Sequence, residues 1–245
     1  MKELFQSVMD NAVFVVEFLA IIAGLFAIAA LIEKFAYERK GKKEKLFTTR
    51  KVAMIGMFSA IAMILMLFEV PLPFAPPFYK LDLSELPVLV GGFAFGPAAG
   101  VMIEFIKILL KLFVKGTSTA FVGELANFAV GCSFVLPASI IYLFWKKKKG
   151  AVWGCVAGTV ILAVFGSLFN AVYLLPAFSK LYGMPLDSIL QMGSAANPLM
   201  TEGSMLSFVV CCVVPINLIK GGVVSAITMV VYKPLSPILK SAYQK

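Results

Sequence analysis

Long apolar runs, separated by short polar or basic intervals, set the pattern of this chain. A membrane-spanning helix needs about 20 mostly apolar residues. Five runs meet that length: Ala12–Ile32 despite Glu17, Val52–Phe68 with no charge inside, Thr119–Trp145, Ala151–Phe178 and Met205–Tyr232. The segment before Ala12 carries one Lys and two acids and lacks a basic n-region, so the first run reads as a spanning helix rather than a signal peptide. The stretch Leu86–Lys115 is harder. As one helix it would reach about 45 Å at 1.5 Å per residue, too long for a hydrocarbon core, and Gly91-Gly92 and Gly96-Pro97 interrupt it.

Charge decides how to divide that stretch. Eight basic residues lie between Lys34 and Lys51, four more form the run Lys146–Lys149, and Lys233, Lys240 and Lys245 lie near the C-terminal end. The positive-inside rule places all three groups on the cytoplasmic side. The number of crossings between Lys51 and Lys146 is then even, which requires two helices in Leu86–Lys115, broken at Gly96-Pro97. Proline suits a helix start. The first piece is short, so it must begin within Leu81–Leu86 or be sheltered by its neighbours. The expectation is an all-α, multi-pass protein of the cell membrane with seven helices, the N terminus outside and the C terminus cytoplasmic. Trp145 and Trp153 flank the lysine run as interfacial aromatics do. The outside then holds two long connections, Glu69–Glu85 and Ser179–Ser204.

Composition agrees. Hydrophobic residues make up 60% of the 245 positions and charged residues 14%, and mean hydropathy is +0.94. A soluble domain keeps nearer a quarter of its residues charged. The chain has no histidine, which removes His-based triads, bases and metal sites together. Cys132, Cys155, Cys211 and Cys212 form no CxxC and lie in apolar runs, so they read as buried small hydrophobes. No metal, cofactor or nucleic-acid partner is expected. The net charge of +9 is distributed as a topological signal facing the lipid bilayer.

Polar groups inside apolar spans are functional candidates. Asn127, Asn170, Asn217 and Lys220 are such groups, the last two spaced three apart and so on one helix face. They fit either a clamp between helices or a polar ligand pocket. Glu124 lies near a helix N terminus, where the dipole favours it. Lys107, Lys111 and Lys115 read as a snorkelling or solvated edge. Glu69–Glu85 contains four prolines together with Phe74, Phe78 and Tyr79, which suits a packed cap, a lid over an outward-facing pocket, or both. Asp187, Gln191, Asn197 and Glu202 mark the other outer connection. Glu17, Glu69 and Glu104 are scattered, so no carboxylate pair is expected, and there is no Walker loop. Any transport energy comes from elsewhere.

Five motifs occur in order: Pro76-Pro77 followed by Leu81-Asp82; Phe95-Gly96-Pro97 with Ala99-Gly100; Ala126-Asn127-Phe128; Asn170 with Leu174-Leu175-Pro176; and Pro215, Asn217, Lys220-Gly221. Together, over about residues 50–240, they resemble the riboflavin-binding S component of energy-coupling-factor (ECF) vitamin transporters. The resemblance implies a six-helix core, residues 50–245, that captures riboflavin from outside and is not an enzyme. It also implies partners: a membrane-embedded T subunit served by two cytoplasmic ATPases. Tyr79, Leu81, Asp82, Glu124, Asn127, Asn170, Asn217 and Lys220 become the implied ligand-binding set. Small residues on the first core helix, Ala53, Gly56 and Ala60, become the implied docking face, against the simpler reading of ordinary helix packing. Residues 1–49 add a helix and a basic linker outside that pattern, expected to be dispensable for ligand binding. Another vitamin or flavin analogue, a membrane enzyme and a ligand-free structural subunit remain the alternatives.

Overall fold

The computed structural model describes residues 12–41, 46–117, 119–201 and 203–241. Among the features named above, residues 1–11, Lys42, Lys43, Lys45, Glu202 and Lys245 lie outside the described residues. The protein is an all-helical membrane protein. Each of the five clear apolar runs forms a helix: α1 (Ala12–Arg39), α2 (Thr49–Leu67), α5 (Val122–Phe144), α6 (Lys148–Phe169) and, at the C-terminal end, α10 (Val214–Ser241). Among the described residues, five helical stretches are long and apolar enough to cross a membrane: Val15–Arg39, Thr49–Leu67, Val122–Phe144, Lys148–Tyr182 and Met205–Tyr232.

The stretch between α2 and α5 divides where glycine and proline stand. Helix α3 is Glu85–Phe95 and α4 is Pro97–Lys115. Gly96 between them has φ of 100°, in the region glycine favours, and a Cβ there would lie 2.5 Å from the Glu33 carboxylate. Glycine is therefore required twice, for its torsion and for the close approach. Short α3 begins at Glu85, within the expected window. It is sheltered on nearly every side, with Val88, Leu89, Val90, Phe93 and Phe95 all buried.

The two long connections that the charge pattern assigns to the outside, the outer connections, are structured. Within Glu69–Glu85, β1 (Val70–Pro71) pairs antiparallel with β2 (Lys80–Leu81) in the register Val70 to Leu81. The other connection takes in the end of α7 (Leu175–Tyr182) and all of α8 (Leu186–Ala196), and leads into the short α9 (Met205–Phe208). Two π-helical segments, Asn170–Leu174 and Val209–Val213, join α6 to α7 and α9 to α10.

Three apolar clusters knit these elements. The inner one joins α2, α3, α4, α5, α6 and α10, where Phe93, Tyr142 and Tyr232 meet edge to face or tilted with ring centroids 4.8–5.7 Å apart. A second seats Phe18, Ile22 and Ala29 of α1 against α4 and α5. The third packs both outer connections, through Ala75, Ile189, Leu190 and Met200, onto Phe208, Val209 and Cys212.

Direct contacts place the end of α1, the start of α2, the α3–α4 break and the end of α5 together. Glu33 reaches Lys51 and Ala98, and Lys40 reaches Leu143. The basic groups flanking these ends thus share one end of the bundle, as the even number of crossings requires. Lys51 itself corrects the charge reading: it is fully buried in an ion pair with Glu33 rather than displayed at the membrane surface. With the native cysteines replaced, Lys148→Cys and Gln191→Cys should be labelled by an impermeant maleimide from opposite sides of the membrane. Labelling of both from one side would contradict this arrangement.

Candidate functional site

The outer connection reaches the apolar interior through Tyr79. Its hydroxyl donates to Asn170 Oδ1 at 2.6 Å, and Asn170 Nδ2 donates to the Gly166 carbonyl at 2.7 Å. Burial pushes the Tyr79 phenol well above its usual range, so it stays neutral and donates. Asn217 faces the same turn of α6. Its Nδ2 lies 2.6 Å from where a Gly166 Cβ would stand, and that buried nitrogen has no hydrogen-bond partner among the described residues. Asn170 opens a π-helical turn, a local widening often found at functional sites. Phe208 and Phe78 lie against Tyr79, with ring centroids 6.1 and 4.8 Å away. Tyr79, Asn170 and Asn217 therefore form one polar group set in aromatic and aliphatic surroundings.

Lys220, one turn along α10 from Asn217, enters a second group. Its Nζ lies 3.3 Å from Asp82 Oδ2 and 3.2 Å from Glu85 Oε1. Glu85 is shared with Lys107, whose Nζ is 3.2 Å away, 3.2 Å from Ser84 Oγ and 2.6 Å from Glu104 Oε1. Three carboxylates and two ammonium groups thus meet, joining the first outer connection, α3, α4 and α10. Burial alone would raise the Asp82 carboxyl, but Lys220 and Lys107 outweigh it and hold Asp82 at about 2, so it is ionised. Ser84 N–H donates to Asp82 Oδ1 at 2.8 Å and fixes the carboxylate.

Two sequence expectations are corrected here. Lys107 is not on a solvated edge; its side chain is fully buried. The i, i+4 spacing with Lys111 and Lys115 suggested a stripe, but the deepest member turns onto the α3 carboxylate, because an ammonium at that depth needs counter-charge. The carboxylates are also not all scattered. Glu104 and Glu85 converge on Gly131 of α5, which has no side chain to exclude them. Glu85, Glu104 and Ser84 were missed as site residues. The available signal was Glu104 three residues before Lys107, on one face of α4.

The remaining expected residues spread outward. Leu81 is half-buried in the ribbon, paired with Val70. Glu124 accepts from Thr117 and Thr119 hydroxyls at 3.0 and 3.1 Å and lies 3.5 Å from Lys111. Asn127 spends its amide on its own helix, donating to Gly123 O at 3.0 Å. Neither joins the Tyr79 or Lys220 groups by a hydrogen bond. On α2, Ala53 and Gly56 are exposed and Ala60 is half-buried, and nothing lies within 4 Å of a Cβ built at Gly56.

Residues 50–232 match the family described as ECF transporter, substrate-specific component. The chain is 35% identical over 200 residues to the riboflavin transporter RibU of Staphylococcus aureus, covering 81% of this chain and 97% of that one. It is 29% identical over 189 residues to the riboflavin transporter FmnP of Bacillus subtilis, covering 77% and 93%. A solved structure described as the S component of a bacterial ECF transporter superposes with a TM-score of 0.58 at 33% identity, over 78% of this chain and 97% of that one. With a match across most of its length to a family of transporter subunits rather than enzymes, the chain belongs to the substrate-specific components of ECF transporters.

Proposed function

We propose that this chain captures riboflavin at the outer face of the cell membrane for uptake by an ECF complex. That complex comprises a membrane-embedded T subunit and two cytoplasmic ATPases. The observation that carries the reading is the similarity to proteins named riboflavin transporters over nearly their whole length. The side chains give it chemical support. Isoalloxazine has apolar faces and a uracil-like edge with donors and acceptors. Asparagine amides match both, and a lysine ammonium donates to ring carbonyls. A largely apolar pocket with a few placed polar groups is the expected design.

In this reading Tyr79, Asn170, Asn217 and Lys220 address the ring edge, with Asp82 orienting Lys220. Leu81, Glu124 and Asn127 line the approach, where the ribityl hydroxyls find partners. The six-helix core consists of α2, α3, α4, α5, the α6–α7 rod and the α9–α10 rod, with α1 added outside it. The basic end of the bundle faces the cytoplasm, by the positive-inside rule. The exposed small residues Ala53, Gly56 and Ala60 form the face on which the T subunit docks.

Purified protein should carry a flavin absorption spectrum and quench riboflavin fluorescence on titration; binding of a different vitamin but no flavin would refute the assignment. Asn217 sharpens the test. Its Nδ2 makes no internal bond, so Asn217→Ala should leave thermal stability nearly unchanged. It should weaken riboflavin binding by at least about fivefold, the equivalent of one hydrogen bond of about 1 kcal/mol. Wild-type affinity in that variant would remove Asn217 from the site. For docking, Gly56→Leu combined with Ala60→Leu should leave flavin affinity intact and abolish uptake by the assembled transporter. Unchanged uptake would place the docking face elsewhere.

A further inference from the structure

Helix α1 lies outside the family match, which begins at residue 50, yet it is tied into the core by buried charge. Glu33 and Lys51 have fully buried side chains and meet at 2.8 Å. The other oxygen of Glu33 accepts from the Ala98 N–H at 3.2 Å. Ala98 is the second residue of α4, so a carboxylate from α1 caps that helix start, where both unpaired N–H groups and the macrodipole favour an anion. Gly96 makes room for it. At the other end of the same contact, Lys40 Nζ donates to the Leu143 carbonyl at 2.6 Å, in the last turn of α5. A helix N terminus thus receives an anion from α1, and a neighbouring C terminus receives a cation from the residue just after α1. Phe26 of α1 stacks on Phe47, with centroids 5.9 Å apart and planes 18° apart, and the Lys51 ammonium stands 5.9 Å over the Phe47 ring.

Helix α4 carries this anchoring to the binding groups. Glu104 and Lys107 lie six and nine residues beyond Ala98, about 9 and 14 Å along a rigid helix axis. There they meet Glu85, and through it Lys220. The depth and rotation of α4 set where those charges stand.

We propose that Glu33 is a positioning residue for the ligand site. Helix α1, absent from the family pattern, fixes α4 at its start so that Lys107 and Glu104 hold Glu85 and Lys220 in binding geometry. This rests on the riboflavin reading and reverses the expectation that α1 is dispensable for binding. The test uses the full chain and two charge-free pairs. E33Q/K51M keeps an oxygen able to accept from Ala98; E33L/K51M keeps bulk but no acceptor. Both should elute as monodisperse protein. E33Q/K51M should bind riboflavin within about threefold of wild type, and E33L/K51M at least about fivefold more weakly, about 1 kcal/mol or more. Wild-type affinity in E33L/K51M would overturn the inference. Failure of either pair to fold would also overturn it, because Glu33 would then support the fold as a whole rather than the site. A wild-type chain that binds no riboflavin would instead sink the functional reading, and this premise with it.

Discussion

Two lysines and three carboxylates in an interior with little water can coexist only by pairing, and that constraint organises the molecule. An ammonium at membrane depth costs about 2.5–3.5 kcal/mol even on a lenient insertion scale. A buried pair broken on one side leaves an uncompensated charge costing about 3–5 kcal/mol. Lys107 and Lys220 share Glu85 between them. Three helices and the first outer connection must therefore converge on one carboxylate. Short α3 is stable at that depth because its first residue is the common partner of both lysines and its apolar flanks are enclosed. The pairing also delivers Asp82 and Ser84 from the outer connection, so that connection is held at its inner end by charge and at its outer end by packing onto α8 and Phe208.

The pairing explains which parts of the fold and site could be read in the sequence. Apolar length marks helices directly, and the break at Gly96-Pro97 followed from charge asymmetry and helix length together. Asn170, Asn217 and Lys220 were visible because polar residues in apolar runs stand out. Lys107 did not stand out. Its neighbours Lys111 and Lys115 offered an easier explanation, and nothing local reveals that a helix carrying Glu85 lies opposite. The Glu85–Glu104 convergence is a tertiary fact that depends on the absent side chain of Gly131. The helix Leu186–Ala196 was obscured for a related reason: its buried apolar residues, Ile189 and Leu190, are too few to signal a span, and their cluster draws on residues from Ala75 to Ile216.

The same logic separates the chain's two kinds of polar contact. Asn127 is satisfied within its own helix, and Glu124 by Thr117 and Thr119 just before it and by Lys111 thirteen residues earlier. Tyr79, Asp82, Lys107 and Lys220 are satisfied across 22 to 138 residues of sequence. Local satisfaction leaves a group indifferent to how the helices are arranged. Distant satisfaction makes each group depend on that arrangement.

The two π-helical segments, Asn170–Leu174 and Val209–Val213, have an evolutionary consequence. Each accommodates one residue more than an α-turn would hold. Helix sides advance by about 100° per residue, so a one-residue deletion at either segment would rotate everything on its outer side by that angle. The lipid-facing turns below would keep their register. The buried residues Asn170 and Cys212 stand at these two joints. Single-residue insertions or deletions there would re-aim the segments beyond each joint without redesigning the membrane-spanning part.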